Sequence, residues 1–112
     1  MSTCTVYATI GNSDDKLSQA RWSNFAAEFV ETIRIQADEI HGVWWSEPSS
    51  PWQNCCVGFS IKDEVLPLGS DAPSADRGKD RLRLLQESLT RLREHYGQEA
   101  VAWVRGYPPE MI

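Results

Sequence analysis

The chain has 112 residues, 41% of them hydrophobic and 24% charged, with a formal net charge of −5. That is enough for one domain with one modest core. The acidic balance argues against a nucleic-acid surface, which needs clustered Lys and Arg, and no stretch approaches the roughly 18 apolar residues of a membrane span. The opening segment, MSTCTVYATI, has no basic region ahead of an apolar run, so cytoplasmic residence is the expectation.

Residues 3–10, TCTVYATI, alternate. Cys4, Val6, Ala8 and Ile10 face one way and Thr3, Thr5, Tyr7 and Thr9 the other, which predicts a half-buried strand. GNSDDK follows at residues 11–16. Gly11 and Asn12 permit a tight turn, and Asp14 and Asp15 stand near a helix start, where negative charge is favoured. Turn chemistry accounts for these residues. The same three oxygen-bearing side chains, Asn12, Asp14 and Asp15, are also what a hard cation or a polar ligand would use.

Ser18 is a good helix N-cap, with Leu17 before it and Trp22 inside the first turns as a hydrophobic staple. Trp22, Phe25, Ala26, Phe29, Val30 and Ile33 then recur at helical spacing to about residue 36. Residues 39–47 and 52–61 are aromatic-rich and β-branched, and they predict a strand hairpin around PSSP. Residues 66–80 hold Gly and Pro signals and few large apolar groups, a long flexible connection, with 66–78 the least ordered part. From about residue 80, Leu82, Leu85, Leu89, Leu92 and Tyr96 form the stripe of a second helix, stopped by Gly97. Residues 99–105, EAVAWVR, predict a last strand, and residues 106–112 form a tail that cannot extend it.

The order β-α-β-β-α-β is the split βαβ, ferredoxin-like arrangement: α+β, a single domain over residues 1–112, strand order 4-1-3-2, all antiparallel, both helices on one face. That topology gathers three separated segments at one end of the sheet. It predicts a polar region there made of Asn12, Asp14, Asp15, Glu47, Trp52, Gln53, Asn54 and Gln98, with Trp52 as a wall.

Other chemistry is thin. Cys4, Cys55 and Cys56 lack metal-ligand spacing and read as reduced, partly buried thiols. His41 and His95 belong to no Ser–His–Asp or Cys–His set that spacing alone brings together. The segment GSDAPSADRGKD lacks phosphate-loop spacing. No cofactor and no metal centre are expected, and no catalytic residue is assigned. The five Trp are the outlying number. Tyr7, Trp44, Trp45 and Trp103 are the expected interface residues, because an uncovered aromatic sheet face is usually a contact surface.

Two resemblances add to this. GNSDDKLSQARW, HGVWWSEPSSPWQN and YGQEAVAW together resemble a family of small, functionally uncharacterised proteins of actinobacteria and their phages, which implies a source and no activity. YATIGNSDD followed by a helix is similar to the opening of the small ferredoxin-like CRISPR-associated metal-dependent nucleases, which implies an acidic metal ligand at the end of the first strand. Here that place holds Gly11 and Asn12. The leading expectation is a non-enzymatic interaction protein whose partner is itself or a host protein. The alternatives are a binder of a small polar, nucleotide-like ligand at the loop end, and a nuclease of that kind.

Overall fold

The computed structural model describes residues 3–12, 17–47, 53–62 and 77–106, with residues 3 and 77–80 described by backbone alone. Six elements follow in the order β1 (Thr3–Gly11), α1 (Gln19–Gln36), β2 (Glu39–Trp45), β3 (Asn54–Lys62), α2 (Arg77–His95) and β4 (Ala102–Gly106). The sheet order is β2-β3-β1-β4 and every pairing is antiparallel. This is the ferredoxin-like βαββαβ arrangement that the period-two and period-3.6 patterns predict.

The register explains the core. Val6 pairs with Phe59, Ala8 with Val57 and Ile10 with Cys55, so one face of the central strands is wholly apolar and buried. Trp22, Phe25, Ala26, Phe29, Val30 and Ile33 of α1, with Leu82, Leu85 and Leu89 of α2, cover it from one side. Phe25, Phe29 and Phe59 are fully buried; truncating one such ring to Ala costs about 3–5 kcal/mol.

The helix ends follow their chemistry. Ser18 Oγ accepts from the Arg21 N–H at 3.3 Å, and Leu17 and Trp22 on either side of it are both buried. At the far end of α2, Gly97 adopts φ +68°, its N–H reaches Glu94 O at 3.0 Å, and the Gln98 N–H reaches Arg93 O at 2.8 Å. That pair of bonds is a Schellman stop. A third fastening joins the opposite end of the molecule. Arg81 donates to both Asp38 carboxylate oxygens at 3.0 and 3.1 Å and to Gln36 O at 3.0 Å, while the Lys62 N–H donates to Asp38 at 2.7 Å. One ion pair thus links the exit of α1, the end of β3 and the body of α2.

Boundaries differ in several places: β1 runs on to Gly11, β2 stops at Trp45 and β3 covers Asn54–Lys62. The second helix begins at Arg77, so residues 77–79 of the expected connection, 77 and 78 of its least ordered part among them, are helical; its residues 66–76 lie outside the described residues. Gly78 lowers helix propensity by roughly 1 kcal/mol, which hides the start in the sequence, yet tertiary context overrides such a preference. The last strand begins at Ala102 and not at Glu99, because the residues after Gly97 complete the helix stop, and Gly106 belongs to β4 and not to the tail.

Candidate functional site

The loop end of the sheet is built around Asn12. This side chain is 1% exposed. Its amide nitrogen donates to Leu17 O at 2.9 Å and Gln53 Oε1 at 3.2 Å, and its oxygen accepts from the Leu17 N–H at 3.0 Å. Its backbone N–H donates to Gln53 O at 2.9 Å. Asn12 therefore closes the 12–17 loop upon itself and ties it to the start of β3. Gln53 also exchanges hydrogen bonds with Gln19, at 2.7 and 3.2 Å. Asn12, Gln53 and the first turn of α1 are one network.

Asn12 does not fit the metal-binding role that the nuclease resemblance implies. Its amide is neutral and both of its polar atoms are committed to the fold. Asp14, Asp15 and Trp52 lie outside the described residues. Gln98 is buried, and its bonds go to the end of α2: its side chain donates to Tyr96 O at 3.4 Å and its carbonyl accepts from Arg93 at 3.2 Å. It serves the helix stop and no contact joins it to Asn12 among the described residues. Asn54 lies at the strand opening, where its N–H donates to Ser46 Oγ at 2.9 Å and its carbonyl accepts from the Ser46 N–H at 3.0 Å.

Glu47 and Gln53 share a cleft of about 280 Å³ with Gln19, Trp22, Trp45 and Ser46. Trp45 pairs in register with Cys55, so it lies on the helix side of the edge strand β2 and forms a wall of this cleft. Sequence reasoning missed the contribution of Gln19 and of the Trp22–Trp45 walls. Nothing in the spacing says that the start of α1 meets the end of β2.

Among the described residues, the other sheet face carries no helix. Tyr7, Trp44 and Val104 stand on it, 41%, 53% and 58% exposed. The Tyr7 and Trp44 rings are 6.5 Å apart at 42°. They lie over glycines. A Cβ on Gly58 would stand 3.0 Å from both rings, one on Gly42 3.0 Å from Trp44, and one on Gly106 3.3 Å from Tyr7. A Cβ at any of these positions would crowd the ring above it, so glycine lets the rings lie close on the sheet. Trp103 is a correction. It pairs with Ala8, on the helix side, and packs edge-on against Phe59 at 5.8 Å. Period-two alternation places it there once the register is known, but a five-residue edge strand leaves the phase ambiguous. Its indole N–H is buried without an acceptor among the described residues, a cost of roughly 1–3 kcal/mol.

The open face also holds a polar relay that spacing did not reveal. Thr5 Oγ1 and Ser60 Oγ are 3.3 Å apart, and Ser60 Oγ is hydrogen-bonded to His41 Nε2. The β2–β3 register shifts between Ile40 and Gly42, and this bulge carries His41 onto the face. Ser60 itself is buried, so the relay anchors the imidazole without presenting a nucleophile.

The adjacent cysteines point to opposite faces. Burial, with Cys56 beside it, pushes the Cys55 thiol up to about 12, so it stays protonated and inert at neutral pH. Cys56, half-buried, belongs to the open face through its pairing with Trp44 and Thr9. Among the described residues, no group of three or more His, Cys, Asp or Glu is placed to hold a metal ion. No helix among them is long and apolar enough to cross a membrane. Comparison with known proteins finds no family model and no curated protein that matches the chain.

Proposed function

We propose that the chain is a non-enzymatic interaction protein that pairs with a second copy of itself through the open sheet face. The observation that carries this reading is the exposed Tyr7–Trp44 pair laid over Gly58 and Gly42, with Val104 beside it. Aromatic side chains supply large contact area for little rotamer entropy and are enriched where binding energy concentrates. Charge favours a second copy. The chain carries −5, yet the described residues on this face include one acid, Glu39, and one base, Lys62, with His41 also on it. Two acidic chains therefore meet here with little repulsion.

The size sets the strength. Four strands about 4.8 Å apart, of five to nine residues, give a face on the order of 500 Å², below the roughly 800 Å² per partner of a standard interface. A micromolar dimer is expected. Sedimentation of the full chain across concentration tests it: wild type should shift from monomer to dimer, and Tyr7→Ser with Trp44→Ser should remain monomeric with an unchanged fold. A wild type that stays monomeric at high micromolar concentration overturns the proposal, and leaves a host protein as the occupant to seek.

A second reading rests on the cleft between α1 and the β2 end. Its Trp22 and Trp45 walls, with Gln19, Gln53 and Glu47 as polar groups, suit a small polar ligand with a flat ring. Calorimetric titration with common nucleotides, alone and with Mg²⁺, Mn²⁺ or Ca²⁺, tests it. Heat that vanishes in Trp45→Ala supports this reading, and silence in wild type removes it.

A further inference from the structure

A second cleft, also about 280 Å³, lies on the helix side of the sheet, between α2 and the edge strand β4. Leu89, Val101 and the Trp103 ring make its apolar wall, and Gln86, Thr90 and Arg93 its polar one. It is remote in sequence from the loop-end cleft and shares no residue with it. Two features point to a ligand. Trp103 Nε1 is a buried donor without an acceptor among the described residues, and such groups are rare in native folds. Arg93 is the one charged group lining the cleft among the described residues, and no acid opposes it there. Its position is set by its bond to Gln98 O at 3.2 Å, in the helix stop. Thr90 already donates its hydroxyl proton to Gln86 O at 2.8 Å. The lining thus offers a fixed cation beside an apolar wall, with an unused indole N–H buried behind the Trp103 ring.

We infer that this cleft binds a small organic monoanion with an apolar body, a carboxylate whose oxygens meet Arg93 and the Trp103 indole N–H while its hydrocarbon part lies on Leu89 and Val101. The fork of Arg93 suits two oxygens, and one of them can be shared with the indole. Because Nε1 is sealed from water in the free protein, the ring must tilt into the adjoining cleft volume to reach the ligand. Binding therefore registers directly on that N–H.

The experiment follows the Trp103 indole resonance in the ¹⁵N-labelled full chain, assigned by its loss in Trp103→Phe. The probes are benzoate and hexanoate, with benzamide and hexanamide as neutral counterparts. Saturable movement of this resonance is expected with a carboxylate, half-complete at about 1 mM or below, as suits a ligand of this size, and at least tenfold weaker with the amides. Val101→Phe, which fills the cleft, should abolish the movement, as should Arg93→Met, while Arg93→Lys should retain most of it. Should Arg93→Met fail to fold, the cleft-filling variant decides alone. No saturable movement with either carboxylate, equal movement with the amides, or movement that survives Val101→Phe would overturn the inference.

Discussion

Asn12 is a residue whose side chain does the work of backbone. It supplies one acceptor and two donations, and its two bonds to Leu17 are buried, so its loss leaves the Leu17 N–H and carbonyl without these partners. Asn12→Ala is expected to destabilise the chain by about 2–3 kcal/mol. Asn12→Asp keeps the acceptor for the Leu17 N–H, loses both donations and buries a charge. It should therefore be less stable at pH 7 than near pH 4, where the buried carboxyl takes up its proton. Urea denaturation of both variants at the two pH values checks this; an Asp variant indifferent to pH would show that the site is wetter than its burial implies. Tyr96 poses a related case between the helices. Its hydroxyl donates to Glu28 Oε2 at 2.6 Å, its ring stacks on Phe25 at 4.9 Å, and Arg21 lies 5.1 Å from its centre. The Glu28 carboxylate, then burial, raise its pKa above the ordinary 10.0. A raised folded-state value means that this stabilisation is complete below 10.0 and fades as pH climbs through the higher folded value. Tyr96→Phe should cost about 1–2 kcal/mol at neutral pH, and the gap from wild type should narrow in strong alkali. A gap of constant size there would count against the Glu28 bond.

Among elements, the fastening of α1, β3 and α2 by Asp38 and Arg81 carries a pH signature in acid. The hydrogen bond from Arg81 first, then that from the Lys62 N–H, holds the Asp38 carboxyl below its ordinary 3.8. A lowered folded-state value gives stabilisation that is complete above 3.8 and is lost as pH falls through the lower folded value. The pair is partly exposed, at 27% and 32% of the side chains, so its contribution is small and salt-sensitive. The melting temperature of Asp38→Asn should lie below that of wild type at neutral pH, and the difference should close in acid below 3.8. A difference that persists unchanged down to about pH 2 would mean that Asp38 acts as a neutral acceptor only.

Across the whole molecule, the sheet separates two chemistries. One face is sealed under α1 and α2; the other offers rings, hydroxyls and little net charge. The vicinal cysteines report on both faces at once. Native alkylation with iodoacetamide, read by mass spectrometry, should leave Cys55 unmodified, because it is buried and its thiol stays protonated. Cys56 should react, and its rate should fall as protein concentration rises through the dimer range, while Cys4 on the helix side keeps a constant rate. A Cys56 rate independent of concentration would speak against a face-to-face dimer.

The elements and the fold were legible because their signals are local. Cys4 to Ile10 alternate, Phe25 to Ile33 recur at helical spacing, Ser18 caps, Gly97 stops, and the order of elements admits few right-handed topologies. What each polar residue does was decided only by tertiary structure. Asn12 in GNSDD looks the same whether it grips a ligand or closes a loop, and the choice depends on Gln53, 41 residues away. Trp103 changes face with the phase of its pairing to Ala8. His41 meets Ser60 only because a bulge turns it. Hydrophobic periodicity is written into neighbouring residues, whereas hydrogen-bond partnership and strand register are relations between distant ones, and one sequence does not contain them until the chain has folded.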